Sequence, residues 1–267
     1  MDKYGIIAGG GELPIIIYNS LKKNNLDVFL IGIKNNFKKV NSIKKYEEVK
    51  IGSLSKIFKI LNQQNINKLI FAGSIKRPSI SELSLDLKAL DFLRLNKIES
   101  LGDDNLLKKI SKYFEKYNYE FVNLNKLCPS LFSSEKFLTI NKPSKIAYEN
   151  LKKGKSIFKI FGKTDVGQSM IIQNKIIMGL EAVEGTNELI KRCFKYKRKG
   201  DKGILLKLKK INQDIRFDLP AIGVNTLKLL KKYDYEGLFI EKNYCIIIDK
   251  KRVIEYANNN KIFISNI

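Results

Sequence analysis

Asp214, Arg216 and Asp218 stand at alternate positions in the segment Gln213-Asp214-Ile215-Arg216-Phe217-Asp218-Leu219-Pro220-Ala221-Ile222-Gly223. On an extended backbone all three would project to one face. Two carboxylates and a guanidinium on one face are costly to gather unless they bind something. Aspartates can hold a hydrated magnesium ion, and an arginine can grip phosphate oxygens bidentately. A surface salt-bridge ladder is the bland alternative. Pro220 and Gly223, which fix the turn that follows, favour the functional reading. The same half of the chain carries further polar groups in Asp165-Val166-Gly167-Gln168-Ser169, in Glu181-Ala182-Val183-Glu184-Gly185-Thr186-Asn187, and at Lys207.

The chemistry open to these residues is bounded by a gap in the composition. The 267 residues include no histidine and no tryptophan. A Ser-His-Asp or Cys-His nucleophile, an imidazole base and a His-ligated zinc or haem are therefore excluded. What remains is chemistry by carboxylates, Lys and Arg, hydroxyls, three cysteines, backbone amides or a bound hard metal.

The first half offers three further segments. Gly9-Gly10-Gly11-Glu12-Leu13-Pro14 follows an apolar strand and opens a helix, so its backbone amides can approach a phosphate. A tight turn without a ligand is the alternative. The dinucleotide fingerprint is incomplete: Pro14 occupies the third glycine position, and Ile31-Gly32-Ile33-Lys34 supplies no acid for a ribose. Ala72-Gly73-Ser74-Ile75-Lys76-Arg77-Pro78 ends another strand, where Lys76 and Arg77 fit either a phosphate contact or ordinary loop charge. In Gly102-Asp103-Asp104-Asn105, helix capping is a better reading of the paired aspartates than a metal site.

Positioning these groups requires an α/β architecture. Short apolar runs at Tyr4–Ala8, Asp27–Ile33, Val49–Ile51, Lys68–Ala72 and Tyr119–Val122 alternate with helical spacing, the pattern of a parallel sheet with crossover helices. The intervening helices are expected at Ile15–Leu21, Leu54–Leu61, Leu83–Leu95 and Asn105–Tyr117, the third with Leu83, Leu87, Leu90 and Leu93–Leu95 on one face. The pattern fails near residues 125–144, which hold two prolines and several serines. Residues 1–128 are thus expected as an N-terminal Rossmann-like domain, 129–144 as a linker and 145–267 as a C-terminal mixed α+β domain. In the latter, helices are expected at Ile146–Phe161, Glu188–Tyr196 and Thr226–Lys232. A hairpin should turn at Asn174, and strands should include Ile204–Leu208, Leu238–Ile240, Cys245–Ile248 and Val253–Ile254.

The segments IAGGGELP, AGSIKRP, GDDNLL, DVGQS, EAVEGTNELIKR and QDIRFDLPAIG, with a strand lysine between the last two, occur in the order and spacing of the LpxI family, which the chain resembles throughout. The resemblance implies hydrolysis of UDP-2,3-diacylglucosamine to UMP and lipid X (2,3-diacylglucosamine 1-phosphate) in Gram-negative lipid A biosynthesis. It implies an N-terminal Rossmann-like domain, a distinct C-terminal domain and a ligand cleft between them. It also implies magnesium, water attack on the β-phosphorus and an essential aspartate, here Asp214 or Asp218. The expected metal set is then Asp214 and Asp218 with Glu181, Glu184 or Asp165. Arg216 and Lys207 would stabilise phosphoryl charge. Gly9, Gly10, Gly11, Glu12, Lys76, Arg77, Gln168, Gly185 and Thr186 would contact the UDP-sugar glycolipid.

A formal net charge of +23 suggests polyanions, yet the lysines are scattered and no nucleic-acid-binding motif is present, so no nucleic-acid partner is expected. Attraction of a pyrophosphate, and of an anionic membrane surface, is the narrower expectation. The alternatives are an oxidoreductase with a nucleotide cofactor or a basic nucleic-acid-binding protein. Three widely spaced cysteines and no leader pattern suggest a cytoplasmic protein, and the resemblance implies action at the inner membrane. The family leaves room for a homodimer.

Overall fold

A computed structural model describes residues 2–75, 83–96, 103–164, 166–211 and 213–267, with only the backbone at Asp103 and Asp104. The chain divides into two compact units. One comprises Met1–Cys128 together with Asp214–Asp218; the other comprises Pro129–Gln213 and Leu219–Ile267.

In the first unit the apolar runs form a sheet of β1 (Lys3–Ala8), β2 (Asp27–Ile33), β3 (Tyr46–Val49), β4 (Lys68–Ala72) and β5 (Glu120–Phe121). Its order is β3-β2-β1-β4-β5 and every pairing is parallel. The helices are α1 (Leu13–Lys23), α2 (Leu54–Gln63), α3 (Leu87–Leu95), α4 (Asp103–Glu115) and the short α5 (Leu124–Leu127). Pro14 lies in the first turn of α1, where its missing N–H costs nothing. This is the doubly wound order, in which the direction of winding reverses between β1 and β4.

The aspartate pair at 103–104 starts α4 rather than preceding it. Helix α3 departs further from expectation. Asp86 caps it by accepting from the Ala89 amide at 3.0 Å, and Ala89 and Phe92 are its buried residues. Leu87 is 83% exposed and Leu90 50% exposed, so the leucine stripe is not the core face.

Phe217 comes from a distant part of the sequence, yet it is 1% exposed in the core of the first unit. Its ring centroid lies 5.6 Å from Phe71 and 5.2 Å from Phe121. The contact carries residues 214–218 into that unit.

The second unit is built on β6 (Ser169–Gln173), β7 (Ile176–Leu180), β8 (Ile204–Lys207), β10 (Gly237–Ile240) and β12 (Phe263–Asn266), in the order β12-β10-β8-β6-β7. Strands β8, β10 and β12 are parallel, while β6 is antiparallel to both neighbours. The expected hairpin turns at Asn174 and Lys175, both with positive φ. A two-stranded parallel pair joins β9 (Ala221–Ile222) to β11 (Ile246–Ile247).

Side chains alternate strictly between the two faces of the larger sheet. Ile171, Leu205, Leu238 and Ile264 pack with α7 (Gly185–Phe194), α8 (Val224–Lys232) and α9 (Lys250–Asn259). Met170, Ile172, Leu206, Phe239 and Phe263 pack on α6 (Lys145–Phe161).

Two expectations are corrected here. Residues Val253–Ile254 lie inside α9, where Val253 and Ala257 are buried four apart; the last strand is Phe263–Asn266. The stretch read as a linker packs against β12. Leu138 donates to Ile264 O, Asn266 donates to Lys136 O, and Thr139 Oγ1 accepts from the Ile264 amide. Its prolines and serines signal loop, but Leu138 belongs to the core.

Replacing Phe217 by alanine should cost about 3–5 kcal/mol in the first unit. Amide exchange is expected to accelerate accordingly in β1 and β4 and to stay unchanged in β8 and β10. Equal acceleration in both sheets would contradict the division.

Candidate functional site

The carboxyl ends of β1 and β4 meet at the reversal point of the first sheet, where open α/β folds bind ligands. Here the two loops are tied together. Gly10 donates to Ser74 O at 2.6 Å and accepts from the Ser74 amide at 3.0 Å. A Cβ on Gly9 would lie 2.4 Å from Ser74 O, and one on Gly73, at φ +86°, would lie 2.4 Å from Gly10 O. Both glycines are thus required by the loop-to-loop approach alone. Gly11, at φ +89°, has open space beside it, and Glu12 is exposed at the start of α1. Lys76 and Arg77 lie outside the described residues.

The segment around Asp214 is a turn, not a strand, so its three charged groups do not share a face. The Asp214 carboxylate accepts from the Arg216 amide at 3.0 Å, closing a local turn, and the Phe217 amide reaches Asp214 O at 3.1 Å. Arg216 Nε donates to Asp214 Oδ1 at 2.9 Å and Nη2 to Oδ2 at 2.7 Å, a bidentate fork. Arg216 Nη1 donates to Glu115 Oε1 at 2.6 Å, and the guanidinium lies 5.0 Å from the Phe217 ring centroid. Asp218 adopts a left-handed conformation at φ +46° and is exposed. Burial would raise the Asp214 carboxyl, but the Arg216 hydrogen bonds and charge outweigh it and hold the group below its ordinary range. Arg216 is raised in return, chiefly by its bond to Asp214.

The second unit gathers a different group. Lys207 ends β8 at a position that continues the Leu205 face, and Ser169 begins the neighbouring β6. Lys207 is 6% exposed and Glu181 is 8% exposed. Lys207 Nζ donates to Thr186 Oγ1 at 2.5 Å, Thr186 Oγ1 donates to Glu181 Oε1 at 2.7 Å, and the Gln168 amide donates to Glu181 Oε2 at 3.1 Å.

Thr186 has one proton, and an ionised Glu181 can only accept. The hydroxyl therefore gives its proton to Glu181 and receives from Lys207, and the Ser169 hydroxyl lies 3.2 Å away. Desolvation pushes the Glu181 carboxyl up, but the Lys207 charge and the bonds from Thr186, Ser169 and Gln168 bring it below its usual value. Gly167 permits the approach: a Cβ there would stand 2.2 Å from Glu181 O. Gly185, at φ +77°, opens α7, and Thr186 follows in its first turn.

Of the expected acids, the structure separates Glu184 from Glu181: Glu184 Oε1 accepts from Arg192 Nε and Nη2 at 3.0 and 2.9 Å. Asp165 lies outside the described residues. Among the described residues, no three acidic or thiol side chains gather to hold a metal ion. Among the described residues Asp214, Glu181 and Glu184 already accept from cationic, hydroxyl or amide donors, which suits a hydrated ion held by one or two carboxylates better than a closed cage.

Sequence reasoning missed Glu115, which lies 101 positions from its partner and carries no motif. It also missed the anchoring of Phe217, for which the one signal is a large aromatic residue within a polar segment.

A doubly wound unit with a glycine loop at its reversal point, and a mixed-sheet unit with a buried lysine at a strand end, define a two-unit α/β protein. Residues 3–131 match the LpxI N-terminal domain and residues 134–265 the LpxI C-terminal domain; the chain belongs to the LpxI family. It is 26% identical over 276 residues to UDP-2,3-diacylglucosamine pyrophosphatase LpxI of Caulobacter vibrioides, covering 100% of this chain and 98% of the relative.

Two solved structures from Aspergillus clavatus, an N5-carboxyaminoimidazole synthase and a carboxyaminoimidazole ribonucleotide synthase, share 14% and 13% identity. They cover 73% and 72% of this chain and 44% of each of those chains, with TM-scores of 0.25 and 0.24. Likeness at that level says nothing about this chain.

Lys207→Met should leave Glu181 buried without its countercharge and cost about 3–5 kcal/mol near neutral pH. The depressed Glu181 contributes stability above its unfolded value of about 4.3, and that contribution is lost as pH falls through the folded value. The difference between wild type and variant should therefore shrink below about pH 4. Glu181→Gln in the variant background should recover part of the loss. Urea midpoints at two pH values measure both effects, and a pH-independent difference would contradict the pairing.

Proposed function

We propose that this protein hydrolyses the pyrophosphate bond of UDP-2,3-diacylglucosamine, releasing UMP and 2,3-diacylglucosamine 1-phosphate for lipid A synthesis. The observation that carries the reading is the match of both LpxI domains along one chain, joined to a full-length relative bearing that activity in its name. In the proposed step, water oxygen bonds to the β-phosphorus and the bond from that phosphorus to the bridging oxygen breaks. UMP leaves with the bridging oxygen and a proton passes to solvent.

The side chains suit this chemistry. Lys207 is a desolvated cation, and charge in a dry site stabilises a developing phosphoryl anion more than it would in water. Thr186 and Glu181 fix its ammonium in place. Asp214, held ionised, is proposed as the carboxylate that orients the attacking water, with Asp218 as the other candidate. The glycine loop from Gly9 to Glu12, together with Gln168 and Gly185, is proposed to contact the substrate.

Magnesium is also proposed. When bound it would neutralise pyrophosphate charge, and the ion keeps most of its waters and needs only one or two protein carboxylates. The proposal places the protein in the cytoplasm, peripheral at the inner membrane, because the substrate is a glycolipid and the net charge is +23. No helix among the described residues is long and apolar enough to cross a membrane. A homodimer is consistent with this placement.

Incubation with the substrate and magnesium in oxygen-18 water should release UMP and place the label in the diacylglucosamine phosphate. An absence of UMP defeats the activity, and label in UMP defeats β-phosphorus attack. Asp214→Ala or Asp218→Ala should lower kcat by at least about 100-fold; near-normal turnover in both would remove the aspartates from the mechanism. Activity should vanish after dialysis against a chelator and return with magnesium, and full activity without the ion would overturn its role.

A further inference from the structure

Arg216 meets Asp214 and Glu115 through different edges of its guanidinium. The Nε/Nη2 edge forms the fork to Asp214, while Nη1 is taken at 2.6 Å by Glu115, the last residue of α4. A fork of this kind is planar, so fixing the far nitrogen fixes the rotation of the whole group. The ring of Phe217 lies 5.0 Å from the guanidinium carbon, and Phe217 is itself locked between Phe71 and Phe121. Asp214 is thus held from three sides: by its own turn, by the fork, and through the fork by α4.

We propose that Glu115 is a positioning residue that acts through Arg216 to fix the orientation of the Asp214 carboxylate, and that Arg216 is a clamp rather than a phosphate ligand. The proposal rests on the hydrolase reading for its kinetic consequence. Both edges of Arg216 are engaged by carboxylates, so a phosphate would have to displace one of them. A surface ion pair is the competing account. Side chains about a third exposed, as these are, ordinarily contribute little to stability. The two accounts differ in what Glu115 controls: an ion pair affects unfolding alone, whereas a clamp affects the order of Arg216 and the chemical step.

Three variants separate the two accounts. Glu115→Ala removes the acceptor from Nη1. Glu115→Gln keeps an oxygen that can accept there, without the charge. Arg216→Lys keeps the charge but loses the fork. Side-chain nitrogen NMR reads the Arg216 Nε–H directly, without any need for turnover.

In wild type that proton should exchange slowly and resonate apart from the solvent-exposed arginines. In Glu115→Ala it should join them, and in Glu115→Gln it should stay near its wild-type position. With the UDP-sugar substrate, Glu115→Ala and Arg216→Lys should lower kcat by about 10- to 100-fold, as misoriented catalytic groups do, while KM changes little. Glu115→Gln should recover most of the loss.

An Arg216 signal unmoved by Glu115→Ala overturns the clamp. A moved signal with unchanged kcat overturns the positioning role. A rise in KM confined to Arg216→Lys would instead make that residue a phosphate ligand. If wild type releases no UMP while the Arg216 signal responds as stated, the hydrolase reading falls and the clamp stands.

Discussion

Burial of one aromatic ring decides where the chemistry-bearing strap belongs. Residues 214–218 sit in the sequence between elements of the second unit, and by sequence they fall within the LpxI C-terminal domain. A segment this rich in charge has little reason to leave solvent. Phe217 supplies that reason by burying a full aromatic side chain among Phe71, Phe114 and Phe121. The transfer free energy of such a ring is about 1.5–3 kcal/mol, enough to order five residues only because their polar groups are also satisfied. The turn from the Arg216 amide to Asp214, the fork and the Glu115 contact provide that satisfaction. Position and ionisation of Asp214 are therefore consequences of a hydrophobic contact three residues further along the chain.

The cluster in the second unit solves the opposite problem. Lys207 carries its ammonium at the end of a buried strand, where a polar group needs a partner. Alternation along β8 directs it to the face occupied by Leu205, and so toward the first turn of α7. The positive end of a helix dipole would add to its cost. Glu181, reached through the Thr186 hydroxyl, supplies the compensating charge, and the bulk of a side chain at position 167 would prevent it from coming so close. Replacing the threonine by valine would keep the shape but break both links, which is why the hydroxyl is part of the electrostatics and not only of the packing.

Much of this fold is legible in the sequence because period and punctuation agree. Asp27–Ile33 and Lys68–Ala72 are continuous apolar runs with clear ends, and they form strands at those residues. The LpxI motifs were legible for a different reason, since their order along the chain carries the family. What was not legible depends on tertiary context. The leucines of α3 have helical spacing, yet burial goes to Ala89 and Phe92, because spacing identifies a stripe without saying which stripe meets the core. Val253 and Ile254 are β-branched neighbours that read as strand, and the helix they occupy is set by the Asp249 cap and the burial of Ala257. Asp214, Arg216 and Asp218 alternate as a strand would, but Asp214 binds the backbone two residues ahead and turns the chain before any ladder can form. Local side-chain capture of an amide competes with extended structure, and an aspartate is well suited to win.

The absence of histidine constrains mechanism more than the surplus of lysine does. Histidine is the one side chain whose ordinary titration spans neutral pH. Without it, proton transfer at pH 7 falls to a carboxyl shifted up, an amine or thiol shifted down, or a metal-bound water. Asp214 and Glu181 are instead both driven further into their charged forms. Such groups are weak proton acceptors and strong electrostatic fixtures. They suit a reaction whose barrier lies in charge placement rather than in proton abstraction, and phosphoryl transfer with a good phosphate leaving group is of that kind. For Asp214 and Glu181 these shifts favour an electrostatic role over general-base catalysis. That preference follows from the ion pairs themselves, and would hold for any phosphoanhydride these residues served.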